Sequence, residues 1–259
     1  RVFAFLRSVV EHYKLNTTMR VAGGWVRDKL LGINSNDIDV ALDDTMGAPF
    51  AEKVLEYLTT TSPSAATHHV HVIKANPTQS KHLETACLCL FDQDIDFVNL
   101  RAEEYAEHSR VPTSIEFGTA LQDAQRRDLT INALFYNINE RRIEDPTGFG
   151  VNDLNNGIIR TPLEPLRTFL DDPLRVLRSI RFGTRLNFTY DAALVEAAKH
   201  PDVHNALQRN VSRERIGKEV TGMMKSTNCV AALNIIYSWN LFDVVFQVPS
   251  SPPATFSMR

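Results

Sequence analysis

Residues 20–42 read RVAGGWVRDKLLGINSNDIDVAL, and this run constrains the fold more than any other. "MRVAG" has the residues of a short strand. "GWVRDKLLG" predicts a two-turn helix stopped by Gly32, and "DIDVAL" predicts a second strand. Residues two apart on a strand share a face. Asp37 and Asp39 therefore project together, while Ile38, Val40 and Leu42 face the core. Without side chains, Gly23 and Gly24 let an anion come close to the backbone. The helix N-terminus behind them favours negative charge, and Arg27, one turn in, can add charge-assisted bonds to phosphate. An isolated D-x-D fits the wet side of an edge strand equally well. Placed just after a phosphate cradle, it fits Mg²⁺ and substrate phosphates better. A third carboxylate would complete a two-metal site. Asp92, just before the strand "DIDFVNL", shares one parity with Asp94 and Asp96 within it, and spacing does not choose among them.

The 259 residues allow one large domain or two ordinary ones. A hydrophobic fraction of 43% and a charged fraction of 23% are those of a globular protein, and no apolar run has the length of a membrane span. The net charge of −3 gives no global case for a nucleic-acid partner. Arginine is nevertheless dense from Arg160 to Arg185, so a local basic face is expected. Three cysteines, two of them Cys87 and Cys89, make no disulfide framework and point to a reducing compartment.

Along the chain, "RVFAFLRSVVEHYKL" predicts an amphipathic helix. "PFAEKVLEYLTT" predicts another, and "THHVHVI" and "TACLCLF" predict strands. "DAQRRDLTINALFYNI" predicts a helix, and "EDPTGFGVNDLNNGIIRTPLEP" predicts turn and loop. Beyond it the pattern is helical: "DDPLRVLRSIRFGTRL", opened by acids and a proline, then "DAALVEAAKH", "VSRERIGKEVTGMM" and "CVAALNIIYSWNLFDVVF". The expected class is α+β. A head with a mixed or antiparallel sheet and flanking helices occupies residues 1–150, an all-α unit residues 151–250, and a frayed tail residues 251–259.

These segments, in this order, resemble the class II CCA-adding enzymes, the tRNA nucleotidyltransferases of the polymerase-β superfamily. "RVAGGWVRDKLLGINSNDIDVAL" resembles the first signature. "DIDFVNLR" resembles the strand with the third acid, which alignment places at Asp96. "DAQRRDLTINALFYN" resembles R-R-D-x-[TS]-x-N-[AS], and "FLDDPLRVLRSIRF" resembles the nucleotide-selecting [ED]-D-x-x-R. "VSRERIGKEV" resembles the segment closing the helical neck. "SKHLETA" and "TPLEPLRTFLDDPLRVLR" look like the eukaryotic branch.

The resemblance implies template-independent addition of C and A to a tRNA 3′ end from CTP and ATP, with release of pyrophosphate. It implies a two-metal Mg²⁺ site on Asp37 and Asp39, assisted by Asp96. Gly23, Gly24, Arg27 and Arg127 would hold the triphosphate. Asp128 would bind the ribose hydroxyl, with Asn132 one turn away orienting it. Arg126 and Asp28 would be structural partners. Asp172 and Arg175 would read the base. Cytosine and adenine both present an amino donor beside a ring-nitrogen acceptor, which a carboxylate and a guanidinium match; uracil and guanine reverse that pattern. An i,i+3 surface ion pair is the structural alternative. Arg178 and Arg181 would contact nucleotide or phosphate, the alternative being a solvated basic stripe. The implied setting is intracellular: cytoplasm, nucleus or mitochondrion, with no membrane partner. Family members continue past the neck into regions that grip tRNA. Addition of C and C only or of A only, and poly(A) synthesis as in the related bacterial polymerases, are the alternatives within the superfamily. A non-catalytic RNA-binding module is the alternative outside it.

Other features carry less. "HHVH", residues 68–71, alternates like a strand and has no zinc-spaced partners. Cys87 and Cys89 read as thiols packed between apolar residues. Residues 101–118 read as a polar loop, which in the family is mobile and bears on the switch from C to A.

Overall fold

A computed structural model describes residues 1–61, 70–73, 85–105 and 112–247. The tail, His68 and His69, and part of "SKHLETA" lie outside the described residues.

The fold is α+β. Seven strands form one sheet in the order β3-β4-β5-β2-β1-β8-β9. They are β1 (Met19–Ala22), β2 (Ile38–Leu42), β3 (His71–Ile73), β4 (Thr85–Leu90), β5 (Gln93–Asn99), β8 (Phe135–Asn137) and β9 (Arg142–Glu144). Only β2 and β5 pair parallel; the other neighbours are antiparallel. Helices α1 (Val2–His12) and α3 (Gly47–Thr61) pack their apolar sides on the core. Phe50 of α3 meets Phe97 of β5 edge to face at 5.3 Å. Val40 and Leu42 join this core, as their parity requires. The opposite sheet face carries the aspartates and a small apolar cluster of Ala22, Ala41, Ala124, Ala133 and Phe135.

The helix α2 (Gly24–Leu30) ends as expected, with Gly32 at φ +71 and its N–H donating to the Lys29 carbonyl. The segment "DAQRRDLTINALFYNI" is not one helix. The helix α4 (Ala120–Gln125) opens with a Thr119–Gln122 capping box and stops; a 3₁₀ turn at Thr130–Asn132 and then β8 follow. One local side-chain bond and one tertiary bond displace the helical ladder here. The Leu129 N–H donates to Asp128, and the Thr130 N–H to the Arg160 carbonyl. Residues 101–118 are not simply loop either, since β6 (Arg101–Tyr105) and β7 (Pro112–Phe117) form a two-stranded ribbon.

The stretch "EDPTGFGVNDLNNGIIRTPLEP" contains α5 (Gly150–Asn156), ended by left-handed Gly157, and β10 (Ile158–Ile159). β10 pairs with β11 (Thr189–Tyr190). The rest is helical: α6 (Pro165–Asp171), α7 (Leu174–Leu186), α8 (Ala192–Ala198), α9 (Pro201–Asn210), α10 (Arg213–Met224), α11 (Cys229–Ser238) and α12 (Phe242–Val245). Asp172 sits between α6 and α7 rather than inside a helix, and its carboxylate accepts the Leu174 N–H at 3.3 Å. Among the described residues no helix is long and apolar enough to cross a membrane.

Candidate active site

The parallel pairing of β2 with β5 sets Asp39 directly opposite Asp96. Asp37 enters β2 from the same side and is exposed, whereas Asp39 is largely shielded. Burial, and then the charges of Asp37 and Asp96, push the Asp39 carboxyl from the ordinary 3.8 up to about 6. Of the three sequence candidates for the third acid, Asp92 lies in the β4–β5 turn at φ +62. Asp94 is exposed and opposite Cys89. The register singles out Asp96.

Three carboxylates on one side of two adjacent strands offer hard oxygen donors. Such a donor set fits Mg²⁺. As placed, no three His, Cys, Asp or Glu side chains already converge on one point among the described residues.

A cavity of about 910 Å³ runs from Asp37 and Asp39 on the sheet to Asp172, Arg175, Arg178 and Arg181 on the helical side. Eight cationic and six acidic side chains line it, so the site is locally basic inside a chain of net charge −3. Such a surplus suits a polyanion. Gly23 and Asp96 are not in the lining.

The cradle differs in detail from the sequence expectation. Gly23 adopts φ +67, which its glycine identity permits. Its N–H, however, donates to the Leu134 carbonyl at 2.9 Å and so belongs to the sheet. A Cβ there would lie 2.7 Å from Nη1 of Arg127. Gly23 thus makes room for a guanidinium. Gly24 lines the cavity. Arg27 is 3% exposed; it donates to Asp28 and to the Asn132 side-chain oxygen and lies 4.7 Å from the Phe182 ring. It ties α2 to the 3₁₀ turn, and Asp28 is its partner as expected.

Asp123, which sequence reading passed over, organises the other arginines. It is buried, and it accepts from Arg126 at 2.6 and 2.8 Å and from Arg127 at 2.7 and 2.9 Å. Burial opposes its ionisation, but Arg127 and Arg126 outweigh burial and hold it at about 2. The signal was present as D-x-x-R-R, which places both arginines within one turn of the acid. Arg127 is thereby aimed over the Phe135 ring, 5.2 Å away, into the cavity.

Asp128 is buried. Its Oδ1 accepts from Leu129 N–H and the Asn132 amide, and its Oδ2 accepts from Arg178 at 2.7 Å. Burial works against its charge, yet Arg178 and Asn132 hold it at about 2. Asn132 meets Asp128 as expected, through the 3₁₀ turn instead of an α-helix. Three of about four lone-pair positions are used, which leaves one on Oδ2.

Asp172 and Arg175 do not pair with each other. Arg175 donates to the carbonyls of Thr168 (3.2 Å) and Arg126 (2.6 Å). Asp172 accepts a two-pronged bond from Arg215 of α10, at 2.8 and 3.3 Å. Arg178 and Arg181 are half-buried and paired, not a free solvated stripe: both reach Glu219 of α10, at 3.6 and 2.5 Å, and flank Phe182. Arg215, Lys218, Glu219 and Phe182 were missed as lining residues. "VSRERIGKEV" reads as a helix resembling the segment that closes the neck, with no lining role for its side chains.

Cys87 and Cys89 are not packed among apolar groups. They share the aspartate side of the sheet, with Cys87 opposite Asp96 and Cys89 opposite Asp94, and burial, then the facing carboxylate, pushes each thiol up. His71 is exposed, at register with Cys87.

Residues 19–160 match the poly A polymerase head domain, more than half of the 259-residue chain. The chain belongs to the poly A polymerase head domain family. This head-domain protein is 45% identical over 252 residues to tRNA nucleotidyltransferase cca2 of Schizosaccharomyces pombe, covering 93% of this chain and 52% of that protein. It is 47% identical over 231 residues to the mitochondrial CCA tRNA nucleotidyltransferase of Saccharomyces cerevisiae, covering 88% of this chain and 42% of that protein. Its fold matches the solved complex of a CCA-adding enzyme with ATP at a TM-score of 0.73 and 26% identity, over 97% of this chain and 53% of that one. The chain therefore spans about half the length of the relatives it matches.

Proposed function

We propose that this chain is the catalytic portion of a tRNA nucleotidyltransferase, adding C and A to a tRNA 3′ end from CTP and ATP. The observation that carries this reading is the single cavity joining Asp37 and Asp39 on the sheet to Asp172 and Arg175 on the helical side. Residues 1–150 would then supply phosphate chemistry and residues 151–250 base selection. Asp37 and Asp39 would hold two Mg²⁺ ions with help from Asp96. Those ions, when bound, would neutralise the reacting oxygens of the tRNA hydroxyl and the α-phosphate.

The chain's own groups do the positioning. Gly23 leaves space for Arg127, and Asp123 holds Arg127 over the triphosphate site beside Gly24 and Arg27. The remaining Oδ2 lone pair of Asp128 accepts from a ribose hydroxyl, which favours ribonucleotides. Asp172, held by Arg215, keeps one Oδ2 lone pair for the amino group of C or A. Arg175 keeps N–H donors for the adjacent ring nitrogen. U and G would leave both groups unmatched in a closed site, which is costly. Arg178 and Arg181 line the path between phosphate and base. No covalent enzyme intermediate is needed; orientation and charge complementarity carry the rate. The compartment proposed is intracellular, with the mitochondrion favoured by the yeast relative's name.

The test uses tRNAs ending before CCA, after C and after CC, each with one labelled nucleotide and Mg²⁺. C, C and then A incorporation is expected. A added only after CC would make this an A-adding enzyme. Long A tracts on generic RNA would make it a poly(A) polymerase. RNA binding without incorporation would leave a binding module.

A further inference from the structure

We propose that Glu219, acting through Arg178, is a positioning residue that keeps Asp128 open for sugar selection, which rests on the reading of Asp128 given above. The helix α10 then has two separate jobs. Arg215 holds the base reader Asp172, and Glu219, one turn further along the same face, governs the sugar reader.

Phe182 gathers three guanidinium groups: Arg27, Arg178 and Arg181 lie 4.7, 5.4 and 4.3 Å from its ring centre. Like charges that close repel, and Glu219 is the α10 carboxylate that meets two of them. It is 8% exposed. Arg181 donates to its Oε2 at 2.5 Å, and Nη1 of Arg178 lies 3.6 Å from its Oε1. Gly222, one turn on, keeps this approach open, since a Cβ there would lie 2.8 Å from Cδ of Arg181. An acid in the lining of a cavity for a triphosphate repels the ligand. Its place there is explained by the groups it holds.

Arg178 is divided between two acids. Its Nε donates to Oδ2 of Asp128 at 2.7 Å, while its Nη1 leans toward Glu219. The charge of Asp128 and then, against burial, that of Glu219 hold the guanidinium pKa above its ordinary value. With a single bond from Arg178, one Oδ2 position of Asp128 stays open. Without Glu219, the guanidinium is free to turn and give that oxygen a second bond. Arg126 already does this with Oδ1 of Asp123, through Nε at 2.8 Å and Nη2 at 2.6 Å. The second bond would take the position that a ribose 2′-hydroxyl uses. A deoxynucleotide makes no use of that position and loses nothing.

The test compares kcat/KM for CTP, dCTP and UTP on a tRNA ending before CCA, with Mg²⁺, for the wild-type chain, Glu219→Ala and Glu219→Gln. In Glu219→Ala the CTP value should fall about 10-fold, the worth of one hydrogen bond, and the dCTP value should change less than about 2-fold. The CTP:dCTP ratio therefore falls while the CTP:UTP ratio holds, which a general loosening of the fold would not produce. Glu219→Gln keeps an acceptor oxygen and should lie between; it decides alone where Glu219→Ala does not fold. In an Arg178→Ala background, Glu219→Ala should change the CTP:dCTP ratio no further. Circular dichroism confirms that each variant is folded. An unchanged CTP:dCTP ratio in the folded variants, or a further fall in the Arg178→Ala background, overturns the role of Glu219 alone. A wild-type chain that uses CTP and dCTP equally, or incorporates neither, overturns the reading of Asp128 and this role with it.

Discussion

Replacing Asp39 by asparagine separates the demands of folding from those of catalysis. The Asp39 carboxyl rises from 3.8 to about 6 through burial, then Asp37 and Asp96. A carboxylate whose folded value is raised contributes stability below its unfolded value, and that contribution is lost as pH rises through about 6. At neutral pH the ionised group therefore works against the fold. At about 1.4 kcal/mol per pH unit, the displacement corresponds to about 3 kcal/mol. An asparagine of the same shape carries no charge. In EDTA at pH 7.5, Asp39→Asn should be about 2–3 kcal/mol more stable than wild type in urea unfolding, with Tm higher by about 2–4 °C per kcal/mol. The gain should shrink between pH 6 and pH 4. Incorporation of C should be lost at every pH. A variant that is no more stable than wild type at pH 7.5, or equally stabilised at pH 4, refutes the electrostatic account. A variant that keeps activity removes Asp39 from the metal site.

Three further outcomes follow from the same geometry. Asp123→Ala removes the buried acceptor shared by two arginines and should lower unfolding free energy by about 3–5 kcal/mol; the wild-type contribution should itself be lost as pH falls from 3.8 toward about 2, and a loss under about 1 kcal/mol in urea unfolding at pH 7 would contradict the buried hub. Arg178→Ala should raise the KM for CTP and ATP about 10- to 100-fold, the loss of one charge-assisted bond on the Asp128 side; steady-state kinetics with an unchanged KM would place Arg178 outside the nucleotide path. Arg215→Ala unpins Asp172 and should narrow the preference for C and A over U about 10-fold, with Arg215→Lys intermediate; single-nucleotide competition that leaves the ratio intact would show that the fork does not position the base reader.

Much of the head was legible along the chain because its signals are local. Period-two alternation placed Asp37 and Asp39 together, and Gly32 marked the end of α2, since only glycine enters the left-handed turn there cheaply. The 123–138 segment was misread for a reason of the opposite kind. Asp128, Thr130 and Arg175 exchange bonds with groups far away in sequence, and those bonds outcompete the helical ladder that composition favoured. Residue types and spacings by themselves determined the α+β class, the paired carboxylates and the arginine-rich helix. Spacing left Asp92, Asp94 and Asp96 open and the family resemblance pointed to Asp96; the tertiary structure sets Asp96 beside Asp39, because strand register is a property of the paired strands. It alone decided that Arg215 rather than Arg175 grips Asp172, that Asp123 aims Arg127, and that two cysteines face aspartates. Side chains from separate elements meet only when packing brings their backbones together, and no local spacing encodes that meeting.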